Sequence, residues 1–182
     1  VYKPCIGSTV GYLMKLLKAA YGENISDAET LRARMYAKKE EIVQKDGFPQ
    51  IPGVKEAIKR LHDEGFRLEV ASSSAGYYIG RVLDALEIRQ YFKCYTSGEE
   101  VEHPKPAPDT FLRAMEKLNL KPEDCIIVED STNGGKAAAV AGAKCVWFHN
   151  PDSGDQQILH AVLTITSWSP ENVDKLIDLM HA

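Results

Sequence analysis

Three short stretches of this chain group residues whose types could handle a phosphate. The first is VASSSAG, where Ser72, Ser73 and Ser74 end an apolar run and Gly76 opens a helical stretch. Hydroxyls placed there, backed by the free N–H groups of a helix start, offer an anion several hydrogen-bond donors. Plain capping of the helix by Ser and Gly explains the same residues. The second is HPKPAPDTF, in which Lys105 stands between Pro104 and Pro106. Prolines on both sides keep the backbone extended and limit where the ammonium can swing, although a loop lysine can equally be a solvated one. The third is VEDSTNGGKAA, with Glu129 and Asp130 adjacent after another apolar run. Two neighbouring carboxylates repel each other and resist desolvation, so a strand end that keeps both often holds a hard cation such as magnesium. The alternative is that Asp130 or Ser131 only caps the next helix.

These groups can act together only if the elements before them end in one place. Strand-like runs at 68–74, 93–97, 125–130, 144–148 and 162–166 alternate with helical ones at 54–64, 77–86 and 108–120, a small-residue helix through GGKAAAVAGA, and a last helix opened by Ser169, Pro170 and Glu171. Strands separated by helices of this length pair in parallel with right-handed crossovers. The expected fold is therefore a Rossmann-like α/β parallel sheet, and such sheets bind ligands beyond the carboxyl ends of their strands. Residues 1–50 read differently. Leu13, Leu16, Leu17 and Ala20 recur at helical spacing, and Ser26 with Glu29 makes a capping box for a second helix running to about Gln44. Two helices with no strand predict a small helical subdomain over 1–50, linked through Asp46, Gly47 and Pro49 to a core over 51–182.

Composition narrows the partners. The 182 residues are 44% hydrophobic and 26% charged, and 22 Lys and Arg against 26 Asp and Glu give a net charge of −4. No basic patch advertises nucleic acid or anionic lipid, and no apolar run approaches the roughly 18 residues of a spanning helix. Cys5, Cys94, Cys125 and Cys145 form no CxxC pair. They read as reduced, packed thiols, which points to a cytoplasmic protein. At this size a monomer is expected.

In order and spacing the three motifs resemble the haloacid dehalogenase-like superfamily, most closely its beta-phosphoglucomutase-like phosphatase branch. The likeness runs from IGST through PGVKEAIKRLHDEGFRLEVASSS and GEEVEHPKPAPDTF to IIVEDSTNGGKAAAVAGA. It implies a helical cap on a Rossmann-like core, and a small phosphorylated metabolite, such as a sugar phosphate, as substrate. It implies Ser73 as the phosphate-binding hydroxyl with Ser72 and Ser74 assisting, Lys105 as the lysine that neutralises nucleophile and phosphoryl oxygens, and Glu129 and Asp130 as Mg2+ ligands. Asn133 is implied in the loop that helps to shape the site. His103 stands beside Lys105 where relatives usually have a small residue, and so could tune the site. The chemistry implied is phosphoryl transfer through an aspartate nucleophile.

The chain departs from that pattern in one respect. The family's first motif, Asp-x-Asp-Gly-Thr/Val on the strand before the cap, is nowhere in the sequence; Lys45-Asp46-Gly47 and Pro151 to Asp155 follow no apolar strand. In the family that strand lies between those ending in Ser72 to Ser74 and in Glu129 and Asp130, so without it two strands would face a gap with unpaired backbone groups. The expectation is a natural protein with roughly 15 to 50 further residues before Val1. Three functions then compete: a phosphatase; a mutase, weakened because Thr9-Val10 stands where the sugar-phosphate mutase has a Ser-Arg pair after the match to Gly7-Ser8; and a non-catalytic phosphometabolite-binding or regulatory protein. Arg32, Arg34, Lys38 and Lys39 read as a solvated helix face paired with Glu40 and Glu41. His62, His149, His160 and His181 read as surface or satisfied structure, and Trp147 and Phe148 as core.

Overall fold

The structure, a computed structural model, describes residues 6–7, 9–22 and 28–181, without the side chains of residues 28, 29 and 32. Cys5, Ser8, the Ser26–Glu29 capping box and the side chain of Arg32 lie outside the described residues. The elements run α1 (Val10–Tyr21), α2 (Ala28–Asp46), α3 (Val54–Asp63), β1 (Glu69–Ser72), α4 (Gly76–Ala85), β2 (Cys94–Ser97), α5 (Asp109–Leu118), β3 (Ile126–Glu129), α6 (Thr132–Ala141), β4 (Lys144–Phe148), β5 (Leu163–Ile165) and α7 (Pro170–His181). No helix among the described residues is long and apolar enough to cross a membrane.

All strand pairs are parallel, with helices on both faces. Alternation along β4 shows why. Val146 and Phe148 pack with Ala57 and Leu61 of α3, Ile165 of β5, and Val173, Leu176 and Ile177 of α7. Cys145 and Trp147 turn the other way, toward Phe111 and Met115 of α5 and Ala137, Ala138 and Ala141 of α6. A period of two along the strand thus feeds two separate apolar layers. The alanine run of α6 lets that helix lie close to the sheet, and Ala137 and Ala138 are fully buried. A third cluster, Ile79, Leu83 and Ile88, seats α4 on Val70 and Tyr95.

The strands form two sheets among the described residues, β1-β2 and β3-β4-β5. β1 pairs with β2 from Glu69↔Cys94 to Ser72↔Ser97, and β3 pairs with β4 from Ile126↔Lys144 to Glu129↔Trp147. β1 and β3 therefore each keep one edge without a strand neighbour. The two sheets are held side by side: Ala71 of β1 joins the cluster that contains Ile127 of β3.

Cys94 and Cys145 are free thiols pushed up to about 11 by burial, and burial also raises Cys125. These three are packed and protonated at neutral pH, as the absence of cysteine pairs in the sequence predicts. Burial likewise raises the carboxyl of Glu69 above its ordinary range, outweighing a hydrogen bond from Thr96 Oγ1. Its Oε2 is buried with only the weak Cys94 thiol opposite. Because the folded state holds this proton more tightly than the unfolded one, Glu69's favourable contribution is complete below the ordinary carboxylate pKa of about 4.3 and is lost as pH rises through the raised value. Glu69→Gln is expected to flatten that fall, and denaturant melts of both proteins from about pH 4 to pH 8 measure it.

Candidate phosphate site

The carboxyl ends of β1 and β3 open on a cavity of about 480 Å3, a volume suited to a small ligand. Ser72, Ser73, Ser74, Lys105, Glu129 and Asp130 all line it. The three sequence motifs therefore converge as the strand-end rule predicts.

The serines are not the caps of α4. That helix starts after Ala75, which gives no side-chain cap; Tyr78 N donates to Ala75 O at 3.0 Å, so among the described residues Gly76 and Tyr77 carry the first-turn donors left for another acceptor. Ser72 Oγ instead accepts from Ser74 N at 3.1 Å, bending the chain just beyond the strand. Ser74 O accepts from Ser97 Oγ at 2.7 Å, which ties the bend to the end of β2. Ser73 Oγ donates to Gly7 O at 2.9 Å. Gly7 has φ +74°, and a Cβ there would stand 2.1 Å from Ser131 Oγ. Only glycine allows the chain to pass this close to the site in that conformation.

Lys105 is the opposite of a solvated loop lysine, with its side chain 4% exposed. The peptide bond to Pro106 is cis. Its Nζ donates to Ala71 O at 3.0 Å and to Glu129 Oε1, so one ammonium bridges the β1 and β3 edges. Its Nζ also lies 4.2 Å from the centroid of the Phe111 ring. Glu129 Oε2 accepts from Asp130 N, Ser131 N and Ser131 Oγ at 3.1, 3.2 and 2.9 Å. Ser131 meanwhile caps α6 by accepting from Gly134 N at 3.0 Å. The capping explanation for Ser131 is thus correct, and it coexists with the cluster.

That arrangement leaves the two carboxylates unlike. Both oxygens of Glu129 are engaged, whereas among the described residues Asp130 uses only Oδ2, which accepts from Asn150 Nδ2 at 3.2 Å and Ser153 Oγ at 2.5 Å. Among the described residues no group of three or more His, Cys, Asp or Glu could hold a metal ion. The donor set still fits magnesium, which takes one or two carboxylates and completes its shell with water and phosphate oxygens. Asp130 is the carboxylate with an oxygen to spare.

Other expectations move. Asn133 is on the first turn of α6 rather than in a loop; it is buried, and its Nδ2 donates to Ile6 O at 2.9 Å. His103 is exposed, lies 3.3 Å from Asp109 Oδ2 and is not part of the cavity wall. Lys38 pairs with Glu41 at 2.7 Å as helical spacing predicts. Glu40 does not pair within its helix; both its oxygens meet Arg81 of α4, at 2.5 and 3.1 Å. Lys39 lines the cavity, with Nζ 4.0 Å from the centroid of the Tyr78 ring. Lys38 and Lys39 are both exposed, as the solvated-face reading expects, but the Lys39 ammonium lies over a ring at the cavity instead of pairing across a turn. Sequence spacing could not find this, because the partners of α2 lie about forty residues away on another helix.

Gly134 fixes the carboxylate cluster. A Cβ there would come within 2.0 Å of Glu129 Cδ and 2.2 Å of Oε2. Gly134→Ala must displace Glu129 from its donors, and the gain in helix propensity of about 1 kcal/mol does not offset this. A net loss of about 1–3 kcal/mol is expected, read as a fall in the midpoint of a denaturant melt.

Comparison with known proteins agrees with this geometry. The family model described as haloacid dehalogenase-like hydrolase matches residues 3–148. The chain is 29% identical over 145 residues to a phosphorylated carbohydrates phosphatase of Thermotoga maritima, covering 80% of this chain and 67% of that one. It is 30% identical over 156 residues to a haloacid dehalogenase-like hydrolase domain-containing protein of Arabidopsis thaliana, covering 84% of this chain and 49%, about half, of that relative. In fold it is similar to a beta-phosphoglucomutase of Clostridium difficile, with a TM-score of 0.75 and 21% identity over 97% of this chain and 80% of that one. With most of its length matched by the family model and its motifs gathered at one strand-end cavity, the chain belongs to the haloacid dehalogenase-like hydrolase family.

Proposed function

We propose that this chain is the phosphate-binding and charge-neutralising part of a magnesium-dependent phosphatase acting on a small phosphorylated metabolite, with α1 and α2 as the cap over 1–50 and the remainder as the core. The observation that carries this reading is the buried Lys105, held by Glu129 at the mouth of a cavity that the three serines and Asp130 share. The name of the Thermotoga relative favours a sugar phosphate.

The residues divide the work as follows. Ser73 Oγ and the N–H groups of Gly76 and Tyr77 at the start of α4 would bind non-bridging phosphoryl oxygens, the hydroxyl exchanging Gly7 O for the ligand. Lys105, already desolvated, places a fixed positive charge where negative charge builds during transfer. Asp130 would hold Mg2+, with Glu129 joining where its pair with Lys105 gives way. Bound there, the ion would supply Lewis-acid stabilisation of the phosphoryl oxygens.

The nucleophile is assigned to an aspartate outside residues 1–182, on a strand that would seat between β1 and β3, where each has an open edge. A carboxylate oxygen of that aspartate would bond to phosphorus as the ester P–O bond breaks, the leaving oxygen taking its proton from the second aspartate of the Asp-x-Asp segment, which takes one back from the water of the next step. Water then cleaves the acyl phosphate, returning the carboxylate and releasing inorganic phosphate. Thr9 is committed as the cap of α1, accepting from Tyr12 N at 3.3 Å. With Val10 beside it, this turn has no cation to hold a second phosphate as a mutase must.

The test is phosphate release by the full-length protein from a panel of sugar phosphates, with and without magnesium. Hydrolysis that needs the ion supports the reading. Absence of turnover, together with a gene that supplies no Asp-x-Asp segment, would overturn it in favour of a phosphometabolite-binding protein.

A further inference from the structure

The phosphoryl end accounts for one wall of the cavity. The wall that faces it is built from Leu13 of α1, Met35, Tyr36 and Lys39 of α2, and Tyr78 of α4. This wall is apolar and aromatic apart from one cation. A substrate tail that fills it meets rings, a thioether and a single ammonium.

The ionised groups around the cavity differ in how well they are matched. Lys105 and Glu129 neutralise each other, and Asp130 accepts from Asn150 and Ser153. Lys39 makes no salt bridge or hydrogen bond among the described residues. Its neighbours in sequence are taken, Glu40 by Arg81 and Glu41 by Lys38. What holds Lys39 is the face of Tyr78, a buried ring whose own position is fixed by an edge contact from Phe48 at 5.6 Å between centroids. The ammonium lies over that ring, and the residue as a whole is exposed. Desolvation pushes its pKa below the usual lysine value, opposed in part by Glu40. A cation stripped of part of its water and given no counter-ion is stabilised by any anion that enters.

We infer that Lys39 recognises a second anionic group, a carboxylate or a second phosphate, on the part of the substrate that departs as the alcohol. This rests on the phosphatase reading for the identity of the first group, and it narrows the substrate class to phosphate esters that carry a negative charge at the other end. Tyr36, Tyr78 and Met35 would pack the carbon chain between the two charges.

Non-hydrolysable probes test this without turnover. Calorimetric binding to the full-length protein is compared for propylphosphonate, phosphonopropionate and propylene diphosphonate, which share a three-carbon chain and differ at its far end. The carboxylate or the second phosphonate is expected to raise affinity by about ten- to a hundredfold over the methyl end, and whichever gains more identifies the natural anion. Lys39→Met is expected to collapse that ratio, and Lys39→Arg to keep most of it, with melting curves showing that both variants fold. Equal affinities in the wild type, or a preference that survives Lys39→Met, overturns the inference. Phosphate release from the matching esters is measured in parallel. A Lys39-dependent preference without hydrolysis removes the phosphatase reading and leaves this one standing; hydrolysis without such a preference does the reverse.

Discussion

Lys105→Met is expected to lower phosphate release by the full-length protein about a thousandfold and to destabilise the fold by about 3 kcal/mol. The two losses share one cause. The side chain is 4% exposed and its partner Glu129 is 10% exposed, so removing the ammonium leaves a carboxylate buried without its counter-charge. Breaking a buried pair from one side costs about 3–5 kcal/mol. The lower end applies because Glu129 Oε2 keeps three donors, from Asp130 N, Ser131 N and Ser131 Oγ. Methionine keeps an unbranched apolar stem, one heavy atom shorter, and gives up the ammonium's contact with the Phe111 ring, so packing adds a smaller loss than the stranded charge. In a thermal melt the loss corresponds to a fall of about 6–12 °C. The double variant Lys105→Met/Glu129→Gln separates the effects. It removes the stranded charge and is expected to recover much of the stability, while activity stays low because no cation faces the transferring group. Full activity in Lys105→Met would remove Lys105 from the reaction.

Asp130→Asn is expected to lower magnesium-dependent hydrolysis by about a hundredfold or more while leaving the fold nearly as stable as before. The side chain sits at the cavity edge, and its hydrogen bonds from Asn150 and Ser153 can be made to an amide oxygen at little cost. What the amide lacks is the negative charge that a hard cation demands. The expected signature is a magnesium requirement shifted to much higher concentration, with an unchanged melting curve in the absence of the ion. Hydrolysis that is intact at the wild-type magnesium concentration would show that Asp130 holds no metal.

Much of this was legible in the sequence because burial leaves a period. The runs CIIVED and KCVWF read as strands, and the meeting of Ser72, Ser73 and Ser74 with Glu129 and Asp130 follows from the rule that parallel sheets gather their strand ends, whereas the place of Lys105 beside them rests on the family resemblance. What escaped was contact between distant parts of the chain. Lys105 and Glu129 are 24 residues apart, and nothing in either motif says that the lysine neutralises the glutamate rather than standing free. The Glu40–Arg81 pair spans 41 residues, so helical spacing offered Glu40 a nearer partner that it does not use. The resemblance implies a loop at Asn133, and GGKAAAVAGA reads as a helix from Gly134; the cap supplied by Ser131 starts α6 at Thr132, two residues earlier.

The grip of α4 on α2 has a mechanical consequence. Tyr78 and Arg81 are three residues apart, about 4.5 Å along the helix axis, and between them they meet Lys39 and Glu40. With Tyr36 against Tyr77 before it and Phe48 against Tyr78 after it, the contact runs along the C-terminal half of α2, whose 19 residues extend roughly 28 Å. A helix held at several points along its length cannot tilt about one of them without breaking the others, so the Lys39 ammonium is kept in place at the cavity wall.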